Sequence, residues 1–496
     1  MKILYIGSGF VGACSAAVSA DSGHETLVYD IDQRKIDLLS SGDRDTIQSC
    51  LYEEGLGDLL IRNRERIKFT TDYALVEEFL NTAEAVFMCL PTPEIGETGE
   101  SNLSYYFSAA EKLAESLLKR NKNKQTQYIV IINKSTVPID MINKTAEIMD
   151  KSQVKNYGVV SNPEFLVEGK AVQDSLHPDR VVVGAWTEKD FAIMRQVYNR
   201  FYNSANVKYL EVNPKEAAAG KLLANFTLFN KLAICFDVIG RTCETFSDLK
   251  FENLRQILTS DPRIGTWGMY DSLYAGGSCF IKDARSLSHQ LQTAGQNAVM
   301  VNETYLANKR QLELFMSRAE KEVLRPAQDK SNFSWTGKKV ALLGLAFKQA
   351  TNDIRNSPAI DIVRILQEKQ VGEIRCFDPA AMFWFKTIFP ENEQMKYCES
   401  EVDCLGSVSP LTKGDEGGYS PTTPQPPFIK GGNSDCIVDV VIIATDWPQF
   451  RNLTTSLLNL KNKPLIMDGR RMLSGDYEKL KENGFVVIPV GGQVVK

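Results

Sequence analysis

Hydrophobic and polar positions change period several times along this chain, and each change predicts an element. Residues 3–6 form a continuous apolar run of strand length. Gly7, Gly9 and Gly12 follow, then a small-residue stretch of helical length and a second apolar run that ends at Asp30, which together predict one βαβ unit. Further strand-like runs at 85–90, 128–133, 158–161 and 180–184 are separated by helix-length stretches. That alternation predicts a parallel, doubly wound sheet, and residues 1–206 are assigned to it. From Pro214 to about Lys321 the apolar positions take up helical spacing, which predicts a central helical domain over 207–324. A second strand-turn-helix passage, "KKVALLGLAF", begins at Lys338, with strands at 374–377, 438–444, 465–467 and 486–489. The expected fold class is therefore α/β, with two Rossmann-like doubly wound domains, 1–206 and 325–496, joined by a central helical dimerisation domain. Residues 405–435 are rich in Gly, Pro, Ser and Thr and lack any period, so they read as an insertion and are assigned no chemistry.

Length and composition narrow the class. A chain of 496 residues is expected to hold two or three domains. Hydrophobic residues at 43% and charged residues at 24% match a globular protein. Basic and acidic residues interleave to a formal net charge of -5, so no basic face for nucleic acid is expected. The first strand begins at residue 3 and the apolar runs are strand-sized, which predicts neither a secretory leader nor a membrane partner, and a cytoplasmic location. The ten cysteines contain no CxxC pair, and most are expected to be reduced core residues. The three histidines form no HxxxH or HxH pair, and metal-free chemistry is expected.

Gly7-x-Gly9-x-x-Gly12 follows a strand and opens a helix, with Phe10 and Val11 inside the turn. In that context the glycines permit a tight turn and close approach of a pyrophosphate to the helix N-terminus. Asp30, at the end of the second strand, suits both ribose hydroxyls and would repel a 2'-phosphate, so NAD is the expected cofactor. Lys35 either complements the adenosine side or is a solvated helix charge.

Five further segments carry a resemblance: "CLPTP" at 89–93, "KSTVP" at 134–138, "NPEFLVEGKAVQDSLHPDRVVVG" at 162–184, "AGGSCFIKD" at 275–283 and "GLAFKQATNDIRNSPA" at 344–359. In order and spacing they resemble the UDP-glucose/GDP-mannose dehydrogenase family. The resemblance implies a two-step, NAD-dependent oxidation of the C6 alcohol of UDP-glucose to the carboxylate. GDP-mannose, a UDP-N-acetylhexosamine, or a catalytically silent nucleotide-sugar-binding subunit are the alternatives. It further implies that Cys279 is the nucleophile, forming a thiohemiacetal and then a thioester. Lys221 and Asn225, four apart, are expected on one helical face to stabilise an oxyanion, with Lys221 alternatively the proton-transfer group. Glu168 assists thioester hydrolysis, while Thr136 and Asp283 position water. Glu164 and Glu168 repeat the four-residue spacing, which without the resemblance would read as a solvated helix face. Thr92, Thr136, Glu168, Lys282 and Arg355 are implied near NAD. Glu164, Phe165, Leu166, Tyr270, Tyr274, Gly276, Phe347, Lys348 and Arg470 are implied at the nucleotide-sugar. Arg263 is implied to reach the sugar of a neighbouring subunit, which makes a homodimer or higher homo-oligomer the expected assembly. Two departures from the family pattern, Ile281 before the Lys-Asp pair and Phe236-Asp237 on the central helix, bear on loop rigidity and interface detail.

Overall fold

A computed structural model describes residues 1–122, 127–270, 272–322, 333–406 and 437–496. They form two compact units, Met1–Thr227 with Lys282–Asn302, and Leu228–Ile281 with Glu303–Lys496.

The first unit is built on eight strands: β1 (Lys2–Ile6), β2 (Glu25–Tyr29), β3 (Ile67–Thr70), β4 (Ala85–Met88), β5 (Ile129–Asn133), β6 (Tyr157–Ser161), β7 (Arg180–Gly184) and β8 (Lys208–Val212). Their order is β3-β2-β1-β4-β5-β6-β7-β8. The order reverses between β1 and β4, and an open sheet of this kind binds ligands outside the carboxyl ends of the strands at that point. β4 and β5 are buried along their whole length, because helices cover both faces, and this is why they read as unbroken apolar runs. Tyr5 of β1 stacks on Phe87 of β4, with ring centroids 4.6 Å apart.

The expected all-parallel sheet is corrected at its far edge. β6 and β7 meet antiparallel, Ser161 opposite Gly184, while β7 and β8 run parallel to each other. The connection between β6 and β7 holds one short helix, Ala171–Leu176.

The second unit carries a six-stranded, wholly parallel sheet: β9 (Lys339–Leu343), β10 (Glu373–Phe377), β11 (Met395–Tyr397), β12 (Val440–Ile443), β13 (Leu465–Asp468) and β14 (Val487–Pro489). The order β11-β10-β9-β12-β13-β14 repeats the first six strands of the other sheet. Its core recruits Leu312, Phe315, Met316 and Ala319 from the helix Val299–Glu322. Of the expected insertion, Leu405 is buried and Gly406 is described, while 407–435 lie outside the described residues. The Ile437 amide donates to the Leu405 carbonyl at 3.2 Å, so the two ends of the insertion meet.

Central to the chain is the helix Pro214–Ala233, which continues through a π-helical turn, Ile234–Gly240, into Arg241–Thr245. By length and composition these 32 residues are apolar enough to cross a bilayer, although no unbroken apolar run within them is long. Lys221 and Asn225, at 4% and 5% exposure, are instead bonded inside the first unit, as in the core helix of a folded domain.

Candidate active site

In the first unit the glycine turn follows β1. Gly7 has φ +102°, and a Cβ there would lie 2.1 Å from the Cys89 carbonyl oxygen. A Cβ on Gly12 would lie 2.0 Å from the Gly7 oxygen. Gly9, which opens the helix Phe10–Asp21 with Phe10 and Val11 in its first turn, has open space where its Cβ would stand. Two glycines are thus required by the turn and the third leaves room beside unpaired helix amides, which fits a pyrophosphate. Asp30 Oδ2 accepts from the Ser8 amide and hydroxyl, both at 2.7 Å, and Oδ1 accepts from the Asp32 amide at 3.0 Å. Burial works to raise this carboxyl, but these bonds and the Lys35 ammonium at 3.7 Å hold it below the usual carboxylate range. Lys35 therefore pairs with Asp30. In the second sheet Asp378 stands at the corresponding strand end, yet it accepts from the Leu345, Ala346, Ala380 and Ala381 amides and from the Trp447 indole. Five donors leave it little capacity for a ribose.

The loops after β4 and β5 are joined: Thr92 donates to the Thr136 carbonyl at 2.8 Å, and Ser135 accepts from the Leu90 amide at 2.7 Å. Lys221 and Asn225 share a buried helical face, as their spacing predicts. The Lys221 ammonium sits 2.9 Å from Glu164 Oε1, with the side chains 5% and 7% exposed. Asn225 donates to Asp283 Oδ2 at 2.6 Å, and Lys282 pairs with Asp283 Oδ1 at 2.6 Å. Glu164 and Glu168, although four apart, do not share a helix. This segment is extended up to a turn at Glu168 and Gly169, the latter at φ +86°, so Glu164 is buried and Glu168 is half-buried in the turn. Glu164 Oε2 accepts from the Leu166 amide at 2.6 Å. Phe165 lies under Arg180, whose guanidinium is 3.9 Å from the ring centroid, with Lys221 at 5.4 Å. The residue reading missed a trio of buried Lys134 and Asn162 with half-buried Tyr198: Lys134 Nζ donates to Asn162 Oδ1 at 3.1 Å and Tyr198 to the same oxygen at 2.5 Å. Lys134 and Asn162 stand in segments already singled out, so a charged residue directly after a buried strand was the available signal.

In the second unit Cys279 is the half-buried first residue of the helix Cys279–Thr293, with Ser278 Oγ 3.8 Å from its sulfur. A helix N-terminus favours a thiolate over a thiol. The preceding loop is fixed on several sides. Ala275 exchanges hydrogen bonds with the Asn308 amide group at 2.7 and 3.2 Å, and Tyr274 donates to Asp361 at 2.9 Å. The Gly277 amide donates to the Arg355 carbonyl, and a Cβ on Gly276 would lie 2.6 Å from the Asn356 oxygen and 3.1 Å from Phe347. The cysteine loop and the Phe347 segment are therefore packed together. Lys348 lies 5.7 Å from the Phe347 ring. Arg470, after β13, pairs with Asp446 at 3.0 Å, and its charge reaches the phenol of half-exposed Tyr270. Arg355 forms a fork with Asp353, and Arg263, 87% exposed, with Asp261.

Matching family models cover most of the chain. The NAD binding domain of the UDP-glucose/GDP-mannose dehydrogenase family matches 1–202, its central domain 215–310 and its UDP binding domain 341–409. A UDP-glucose 6-dehydrogenase of Pseudomonas aeruginosa is 30% identical over 99% of this chain and 97% of its own length. One from Rickettsia prowazekii is 30% identical over the full length of both. The fold is similar to a UDP-glucose dehydrogenase from Pyrobaculum islandicum, with a TM-score of 0.78, 24% identity and coverage of 95% and 94%. With the three family models following one another along the chain and relatives 30% identical over its full length, the chain belongs to the UDP-glucose/GDP-mannose dehydrogenase family and is an NAD-dependent oxidoreductase.

Proposed function

We propose that this protein is a UDP-glucose 6-dehydrogenase, converting UDP-glucose, two NAD and water to UDP-glucuronate, two NADH and three protons. The observation that carries the reading is Cys279, half-buried at the N-terminus of a helix in a loop packed on Phe347. Binding alone needs no thiolate there. NAD, when bound, supplies the hydride acceptor for both oxidations. The Cys279 thiolate adds to the intermediate aldehyde, which retains it as a thiohemiacetal, and the second oxidation leaves a thioester. Asn225, its amide oriented by Asp283, and the Lys221 ammonium stabilise the developing oxyanion, with Lys221 alternatively the proton-transfer group in its neutral form. Glu168 guides water to the thioester, with Thr136 and Asp283 holding that water.

Glu164, Phe165, Leu166, Tyr270, Tyr274, Gly276, Phe347, Lys348 and Arg470 hold the nucleotide-sugar, and Thr92, Lys282 and Arg355 flank the cofactor. Residues 1–206, 207–324 and 325–496 divide cofactor binding, catalysis and UDP binding between them. A homodimer forms on the central helix, where Ile234, Val238 and Phe246 are 41%, 57% and 61% exposed, and Arg263 serves the partner's sugar. The enzyme works in the cytoplasm.

NADH release against UDP-glucose, GDP-mannose and UDP-N-acetylhexosamines tests the substrate, and a preference for any sugar but UDP-glucose refutes it. Glu168→Gln leaves both oxidations possible but slows hydrolysis, so a substrate adduct on the Cys279 peptide is expected in its mass spectrum. Cys279→Ala that still makes acid, or an adduct on another residue, refutes the covalent route.

A further inference from the structure

Lys134 follows β5 directly, and its side chain turns inward, leaving the residue 7% exposed. Its ammonium donates to Asn162 Oδ1 at 3.1 Å and to the Tyr198 hydroxyl at 3.4 Å. Both acceptors are neutral, an arrangement that is costly for a buried cation. Asn162 is pinned from its other end, its amide donating to the Val182 carbonyl at 2.7 Å. One proline separates it from Glu164, which pairs with Lys221. Lys134, Asn162, Glu164 and Tyr198 also share the wall of a cavity of about 70 Å³, together with Phe165 and Arg180. The charge on Lys134 attracts the Glu164 carboxylate and repels the Lys221 ammonium.

We propose that Lys134 is a positioning residue for the reaction, acting through Asn162 and Glu164 on Lys221. In its charged form it fixes the Asn162 oxygen and with it the segment that presents Glu164. It also favours ionised Glu164 and disfavours a second positive charge on Lys221. In its neutral form all three effects weaken. The inference rests on the role given above to Lys221.

The change between forms falls within reach of an assay. Burial is the main cause that brings the Lys134 ammonium down to about 8; Lys221 adds to it, while Cys89 and Glu164 oppose it. Of the other groups facing it, Cys89 is pushed up to about 12 by burial, and Tyr198 is raised by burial as well. Glu164 is held below the usual carboxylate range, so none of these three titrates near 8.

The test is the pH profile of kcat, read as NADH appearance with UDP-glucose, for wild type, Lys134→Met and Lys134→Arg. Wild type should show an inflection near 8 that both variants lack. Lys134→Met should lose about tenfold or more in kcat, while KM for NAD stays within about twofold. Methionine replaces a cation that is costly to bury, so this variant should melt no lower than wild type at neutral pH. An inflection that persists in either variant overturns the proposal. So does a loss of turnover in Lys134→Met with the shape of the profile unchanged, which is what a packing role alone would give. Undiminished turnover in Lys221→Met would instead refute the role of Lys221.

Discussion

Replacing Lys221 with methionine keeps the aliphatic length of the side chain and removes the ammonium 2.9 Å from Glu164. Both partners are almost fully buried, so the loss strands a carboxylate in the interior, which costs roughly 3–5 kcal/mol when a buried pair is broken. The pH dependence gives the sign. In wild type, burial works to raise the Glu164 carboxyl, but Lys221, the Leu166 amide and Lys134 together hold it below its usual range. A carboxyl depressed in the folded state adds stability that is present above its unfolded value, about 4.3, and lost as pH falls through the folded value. Without Lys221 the burial effect dominates and the carboxyl rises, so the variant loses stability as pH climbs above about 4.3. The gap between the two proteins should therefore widen as pH rises from about 4.5 and approach the full 3–5 kcal/mol near about pH 7.5. Urea melts of wild type, Lys221→Met, Glu164→Gln and the double variant at both pH values measure it. The double variant should cost less than the sum of the singles by roughly 2 kcal/mol at the higher pH. Additive losses, or a gap that does not change with pH, would refute the buried-pair reasoning.

Asp30→Ala should weaken NAD use and narrow the preference over NADP, the more so because it leaves Lys35 without its carboxylate partner; the ratio of kcat/KM for the two cofactors measures this, and an unchanged ratio counts against it. Replacing residues 407–436 with a short Gly/Ser bridge should leave activity and melting temperature nearly unchanged. The flanking residues already meet, since a Cβ on Gly406 would lie 2.1 Å from the Ile437 side chain, and loss of soluble protein or turnover would argue otherwise. Lys134 is lowered in the folded state, so the unfolded chain binds more protons above about 8 and wild type gains stability from there to about 10.4. The shift amounts to roughly 3 kcal/mol that Lys134→Met should not gain, as denaturant melts across that range would report.

What the chain discloses in advance depends on how many faces an element buries. β1, β4 and β5 lie under helices on both sides and are legible as apolar runs, and the glycine turn with Asp30 is legible because backbone geometry restricts the residue types. β3 and β8 were missed because each exposes part of its length: Lys68 in β3, and Lys208, Leu210 and Glu211 in β8. The antiparallel β7 was not legible either, since its own residues read like those of a parallel strand. In the site, Lys221 and Asn225 followed helical spacing and fell on one face. Glu164 and Glu168 have the same spacing but no helix, and spacing alone does not tell the two cases apart. Lys134 and Asn162 carry no periodic signal, and their pairing depends on strands that are neighbours in space and distant in sequence.

The π-helical turn at Ile234–Gly240 bears on how this chain can be compared with and grafted onto others. A π-turn closes its hydrogen bonds one residue later than an α-turn and so behaves as a local insertion of one residue. At about 100° per residue, removing one position there would rotate everything after it on the helix by more than a quarter turn relative to Lys221 and Asn225. An alignment that runs without a gap through this helix to a relative with an uninterrupted α-helix would therefore pair residues correctly on one side of the turn and out of register on the other. Chimeras are best joined before Ile234, where the α-helical register that sets the face of Lys221 and Asn225 is still intact.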